Sequence, residues 1–109
     1  ILGSMEFACK LAGSKLVVVL GHTHCGAIKG ACAGAELGHL TGLLNKIQPA
    51  VKSVKQGELA KNSHPEDSLF DKVAGRNVEL MVEKIGKKFY TSMKKPVQLM
   101  LLFPHPTQI

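Results

Sequence analysis

Five apolar residues in a row, Leu16-Val17-Val18-Val19-Leu20, constrain this chain more than any other feature. A strand with one wet face alternates apolar and polar residues. An unbroken, β-branched run belongs instead to a strand covered on both faces, as in the parallel sheet of an α/β fold. The strand is read from Lys15, and it stops at Gly21. The residues that follow, His22-Thr23-His24-Cys25-Gly26, form a polar turn bracketed by glycines. A small-residue helix is expected next, from Ala27 to about Ala33.

The rest of the chain reads as helices and one more strand. Ser4 is placed to cap a short helix running to about Ala12, with Gly13 to end it. Leu37, Leu40, Leu44, Ile47, Val51 and Val54 are spaced by 3, 4, 3, 4 and 3, which is a helical stripe that should face the core. Pro49 should kink or split it. Gln56 to His64 reads as a polar loop. Ser63-His64-Pro65-Glu66 forms a capping box with proline inside the helix start. A long helix then runs to about Tyr90, with Phe70, Ala74, Val78, Met81, Ile85 and Phe89 on one face. Lys94-Lys95-Pro96 breaks it. Val97 to Phe103 is a second apolar strand, closed by Pro104 and Pro106.

No linker or internal repeat interrupts this order, so residues 1–109 read as one domain. Two strands are not an independently stable sheet. The sheet is therefore expected to be completed by a second copy of the chain or by residues upstream. The chain starts at Ile1 with no initiator Met, which reads as a processed chain or a piece of a longer one.

Composition narrows the function classes. Apolar residues make up 45% of the chain and charged ones 20%, which excludes a disordered tail. No apolar run approaches the roughly 18–20 residues that span a bilayer. The net charge of +6 comes from 14 basic and 8 acidic residues, and Arg76 is the one arginine. A nucleic-acid binder concentrates arginine and interleaves aromatics, whereas this chain has no Trp and one Tyr. Its charge reads as a solvated surface, with neither nucleic acid nor membrane expected as partner. Three cysteines, Cys9, Cys25 and Cys32, form no even disulfide framework and suit a reducing, cytoplasmic compartment.

The turn is where chemistry is expected, because ligands of open α/β sheets bind beyond the carboxyl ends of the strands. His22 and Cys25 stand there as H-x-x-C, and imidazole nitrogen and thiolate sulfur are good zinc ligands. The helix that follows points its N-terminus at the turn, which favours negative charge there. By itself H-x-x-C is two ligands, and an ordinary polar strand-to-helix turn would look the same.

A wider stretch carries more. Ser4-Met5-Glu6-Phe7-Ala8, followed by Lys15-Leu16-Val17-Val18-Val19-Leu20-Gly21-His22-Thr23-His24-Cys25-Gly26-Ala27-Ile28, resembles the β-class carbonic anhydrases. Members of that family carry a helix beginning S-[hydrophobic]-E-[aromatic]-A, a strand of the type (I/L)VVLGH, and a zinc segment G-H-[ST]-x-C-G-A. Arg76-Asn77-Val78, read at the head of an amphipathic helix, also looks like the family's later helix. The strong likeness covers about Ile1 to Gly30, and none is evident after about Ile85. The resemblance implies a doubly wound parallel sheet, a homodimer or higher homo-oligomer, and reversible hydration of carbon dioxide to bicarbonate at zinc. There the metal would bring the pKa of a bound water towards ~7. His22 and Cys25 match the family's second and third protein ligands.

One departure matters as much. The family's first ligand is a cysteine in a C-x-D-x-R segment upstream of the helix that matches at Ser4, and C-x-D-x-R occurs nowhere in this sequence. Asp67 and Asp71 are the only aspartates, and both fall in the late helix. The expectation is a partial carbonic-anhydrase-like α/β domain. It would hold zinc weakly or not at all and would be inactive or incomplete as it stands. The alternative is a non-catalytic dimerisation or anion-binding module. Other residues read as poor substitutes for the missing ligand. Cys9 and Cys32 read as packing positions, and His24 as pointing away or lining a cleft. His39 and His64 read as solvated, and His105 as part of a tail.

Overall fold

β1 (Leu16–Leu20) and β2 (Gln98–Leu102) pair in parallel, from Leu16 opposite Gln98 to Leu20 opposite Leu102. They form a two-stranded sheet in this computed structural model, which describes residues 1–58, 66–93 and 98–103. Five helices accompany them: α1 (Leu2–Glu6), α2 (Gly26–Ala33), α3 (Gly38–Asn45), α4 (Gln48–Glu58) and α5 (Glu66–Met93). The α/β class and the parallel pairing follow the reading of the two apolar runs. The chain divides into two compact units, Ile1–Leu20 with Val78–Leu102, and Gly21–Asn77 with the chain from Phe103 onward.

The first unit holds the sheet. α1 starts at Leu2 with Ile1 as N-cap and no side-chain cap, so Ser4 lies inside the helix and does not cap it. The helix continues as a π-helical turn over Phe7–Leu11, closed by the Ala12 amide donating to the Phe7 carbonyl at 3.0 Å. That turn carries Cys9 inward, where it is 2% exposed. Cys9 packs with Phe89 and Met93 of α5, and Leu2, Met5, Val17 and Ile85 gather around the three. The buried thiol at Cys9 is thus the packing position expected of it. Lys10 Nζ donates to the Met93 carbonyl at 3.2 Å, supplying a cation to one of the last carbonyls of α5. At Gly86 a Cβ would lie 3.1 Å from Leu99 Cδ1, so α5 presses against β2 where it has no side chain.

Among the described residues the sheet is only partly covered. Burial alternates along β1, with Val17 and Val19 half-buried and Leu16, Val18 and Leu20 exposed. Along β2 Leu99 is half-buried, while Leu101 is as exposed as Leu16, Val18 and Met100. This corrects the expectation of cover on both faces. An unbroken apolar run reports that both faces are apolar, but not that this chain supplies both covers.

The second unit is helical. The stripe from Leu37 to Val54 is split into α3 and α4, and Pro49 sits in the first turn of α4, where no amide donor is required. Leu44, Ile47 and Val51 are buried as the spacing requires, and Val54 is half-buried. Leu37 and Leu40, at the leading end, are exposed, because Leu37 is the extended N-cap residue of α3. Gln56 to Glu58 is helical, where a loop was expected. α2 ends at Gly34, whose φ of +72° is the left-handed conformation that glycine adopts without strain. Gln48 Nε2 then donates to the Ala31 carbonyl at 2.9 Å.

α5 carries its apolar face as read, with Ala74, Val78 and Phe89 buried and Phe70, Met81 and Ile85 half-buried. Arg76-Asn77-Val78 lies in the middle of this helix and not at its head, and Arg76 Nε donates to Ser53 Oγ on α4 at 3.1 Å. The capping residues Ser63-His64-Pro65, the breaker Lys94-Lys95-Pro96 and the segment with Pro104, His105 and Pro106 fall outside the described residues. Among the described residues, no helix is long and apolar enough to cross a membrane.

Phe89 is the largest side chain of the cluster that seats α5 on β1. Phe89→Ala should cost about 3–5 kcal/mol of unfolding free energy, a large part of what a domain of this size has. A urea titration followed by circular dichroism reads it. A midpoint within error of the parent would show that the cluster does not hold the sheet.

Candidate metal centre

The turn after β1 is built by local backbone geometry. Leu20 ends the strand, Thr23 and His24 make the bend, and Cys25 is the N-cap of α2 with φ −74° and ψ 120°. Its carbonyl accepts from the Lys29 amide at 3.1 Å, which starts the helix. The Cys25 side chain makes no capping hydrogen bond, and the residue is half-buried, so its sulfur remains free to act as a donor atom.

His22 is exposed, and its ring is held from one side. Nδ1 lies 2.9 Å from the Thr23 carbonyl. A carbonyl oxygen can only accept, so Nδ1 is the donor, and in the neutral ring Nε2 is the nitrogen with the lone pair. A backbone carbonyl in this role is the usual partner of a metal-binding histidine, because it fixes both tautomer and ring orientation. The sequence named His22 but not its partner, since no side-chain pattern marks a backbone oxygen.

His24 has φ +55°, the only non-glycine positive φ in the described backbone. It is exposed, and it belongs to no metal-ligating group: among the described residues, no cluster of three or more His, Cys, Asp or Glu side chains could hold a metal ion. His39 is exposed in the first turn of α3, as expected of a solvated residue. His64 and His105 fall outside the described residues. Cys32 is half-buried, where a core position was expected. It lines a cavity of about 280 Å³ with Ala33, Lys55, Leu69 and Phe70. Desolvation pushes its thiol pKa up, with Lys55 pulling weakly the other way, so Cys32 stays protonated near neutral pH.

The donor types therefore suit zinc, and the donor number does not. A free imidazole Nε2 and a free sulfur three residues apart are borderline-soft ligands of the kind zinc takes. A closed or catalytic zinc site needs three or four protein donors, and the described residues bring together no such group.

The strain at His24 can be tested apart from any metal. His24→Gly should stabilise the chain by about 0.5–1 kcal/mol, because relief of about 1–2 kcal/mol of left-handed strain outweighs the added chain entropy of glycine. Metal content should not change. A lower urea midpoint would mean that the imidazole holds the bend together.

Comparison with known proteins agrees with the motif and the fold. The carbonic anhydrase family model matches residues 1–101. Carbonic anhydrase 2 of Mycobacterium tuberculosis, from strains CDC 1551 / Oshkosh and ATCC 25618 / H37Rv, is 38% identical over 56 residues. That match takes in 47% of this chain and 27% of the relative, so the chain spans about a quarter of the curated relatives it matches. In fold, the crystal structure of the β-carbonic anhydrase CafA of Aspergillus fumigatus is similar with a TM-score of 0.69, at 24% identity, over 93% of this chain and 49% of that one. With a family match running through the strand, the turn and α5 to β2, the chain belongs to the β-class carbonic anhydrase family.

Proposed function

We propose that this chain is a carbonic-anhydrase-like domain carrying the His22 and Cys25 donors of a zinc centre, and that it does not hydrate carbon dioxide unaided. The observation that carries the reading is the donor count. His22 Nε2 is freed by the contact of Nδ1 with the Thr23 carbonyl, Cys25 is free at the head of α2, and no third donor joins them among the described residues. Bound zinc supplies a Lewis acid. This chain's part is narrower. Thr23 holds the His22 proton on Nδ1, Cys25 presents sulfur at a helix N-terminus, and the family's C-x-D-x-R donor is absent from the sequence.

The same reading makes the chain a self-associating one, with a second copy as its partner and neither nucleic acid nor membrane. Its three free cysteines favour a cytoplasmic setting. A non-catalytic dimerisation or anion-binding module is the second reading. It draws on the exposed apolar residues of the sheet and needs no metal.

Elemental analysis of the purified 109-residue chain after zinc loading and desalting separates the two. On the first reading a measurable fraction of one zinc per chain is retained, and Cys25→Ser removes most of it. Metal content unchanged by that substitution would refute Cys25 as a ligand, and no zinc at all would select the module. Carbon dioxide hydration, followed by stopped-flow with a pH indicator, should stay at the uncatalysed rate. Turnover at stoichiometric zinc would show that a third donor is present after all.

A further inference from the structure

Three helices leave a space between them. The last turns of α2 and α4 meet the beginning of α5, and Cys32, Ala33, Lys55, Leu69 and Phe70 line the cavity of about 280 Å³ found there. All five residues lie in the helical unit. Cys32 stands seven residues beyond Cys25, about 10 Å along the axis of α2, so the cavity is separate from the His22–Cys25 donors.

The lining defines what fits. Leu69 and Phe70 bring an aliphatic and an aromatic surface, Ala33 a methyl group, and Cys32 a thiol that packs as a small hydrophobe. Desolvation raises the Cys32 pKa, so its sulfur is uncharged near neutral pH and does not repel an anion. Lys55 is the charged residue among the five. A second cation stands by the same wall, where Lys29 Nζ lies 5.8 Å from the centre of the Phe70 ring. The Gly30 and Ala31 carbonyls near this end of α2 already accept hydrogen bonds, from the Ala35 amide at 3.0 Å and from Gln48 Nε2 at 2.9 Å. They need no donor from a ligand, and the polar group that suits Lys55 is an acceptor. An apolar cavity of roughly 150 Å³ takes up benzene, so this one has room for a phenyl ring with a short side chain.

We propose that this cavity binds a small organic anion, with an aromatic or short aliphatic body against Leu69 and Phe70 and its carboxylate at Lys55. Small-molecule pockets have this make-up, with mostly apolar walls and a few polar groups that fix orientation. Charge selects the anion over a neutral body of the same shape, because the chain carries +6 and two ammonium groups flank the Phe70 wall. The site needs neither zinc nor a second copy of the chain, so its failure and that of the zinc reading are separate events.

Titration of the ¹⁵N-labelled chain with 3-phenylpropionate, followed by amide chemical shifts, tests the site, with the neutral 3-phenylpropanol as comparison. The carboxylate should shift the Cys32, Ala33, Leu69 and Phe70 amides saturably, with a dissociation constant on the order of 1–5 mM, as befits about a dozen heavy atoms. The alcohol should bind about 3-fold more weakly, and Lys55→Met, which keeps the stem and removes the charge, should erase that difference. Cys32→Phe fills the cavity and should abolish binding of both molecules. Ala33→Leu, at an exposed residue of the lining, covers the case in which Cys32→Phe fails to fold. Saturable shifts that persist in the filling variant that folds would overturn the cavity as the site. So would shifts confined to His22–Gly26, or none at several times the expected dissociation constant. Equal affinity for acid and alcohol would overturn the anion.

Discussion

The parallel pairing of Leu16–Leu20 with Gln98–Leu102 is the constraint on which the rest depends. Parallel strands cannot be joined by a tight turn, so everything between them must serve as a crossover. The whole helical run from α2 to α5 is that connection. Its cost is a contact closed across some eighty residues, which requires a strong reward where the strands meet. The reward lies on one side, where Cys9, Phe89 and Met93 gather Val17 and Ile85, and where α5 approaches β2 at Gly86. A Cβ at position 86 would press on Leu99 Cδ1 and require that side chain to shift by a few tenths of an ångström. The glycine thus lets α5 pack closely on the residue of β2 that stands opposite Val17.

The turn that follows β1 is organised on a different scale. Its two donors are set by neighbours within four residues: the Thr23 carbonyl for the His22 ring, and the Cys25–Lys29 backbone bond for the start of α2. Short-range contacts of this kind survive changes elsewhere in a chain. This is why a motif such as G-H-T-H-C-G can be read from residues alone. A third donor would have to come from a distant element, and among the described residues none does.

What was legible in the residues follows that division. The apolar run, the glycine-bracketed turn, the splitting effect of Pro49 and the buried face of α5 all depend on local period or local chemistry, and each stands where it was read. What was not legible depends on distant partners. Ser4 has the side chain of a cap, but Leu2 already begins the helix, so it caps nothing. Leu37 continues a perfect helical spacing, yet the helix starts one residue later and leaves it extended and exposed. The run at Leu16–Leu20 is apolar on both faces, and its sequence carries no sign that Leu16, Val18 and Leu20 stay exposed. The left-handed backbone at His24 was not read, because histidine adopts a positive φ more often than most residues but still rarely, and nothing else in the turn marks that position.

These two scales also separate the properties of the chain. The exposed apolar residues of the sheet belong to the long-range pairing of β1 with β2. His22 and Cys25 belong to a local turn, positioned by backbone neighbours within four residues. A family fold can therefore keep its strand pairing and its donor turn for different physical reasons. A substitution on the sheet leaves the backbone contacts of the turn in place, and a substitution at Cys25 leaves the strand pairing in place. The sheet and the turn are therefore independent variables, and a measurement on one carries no assumption about the other.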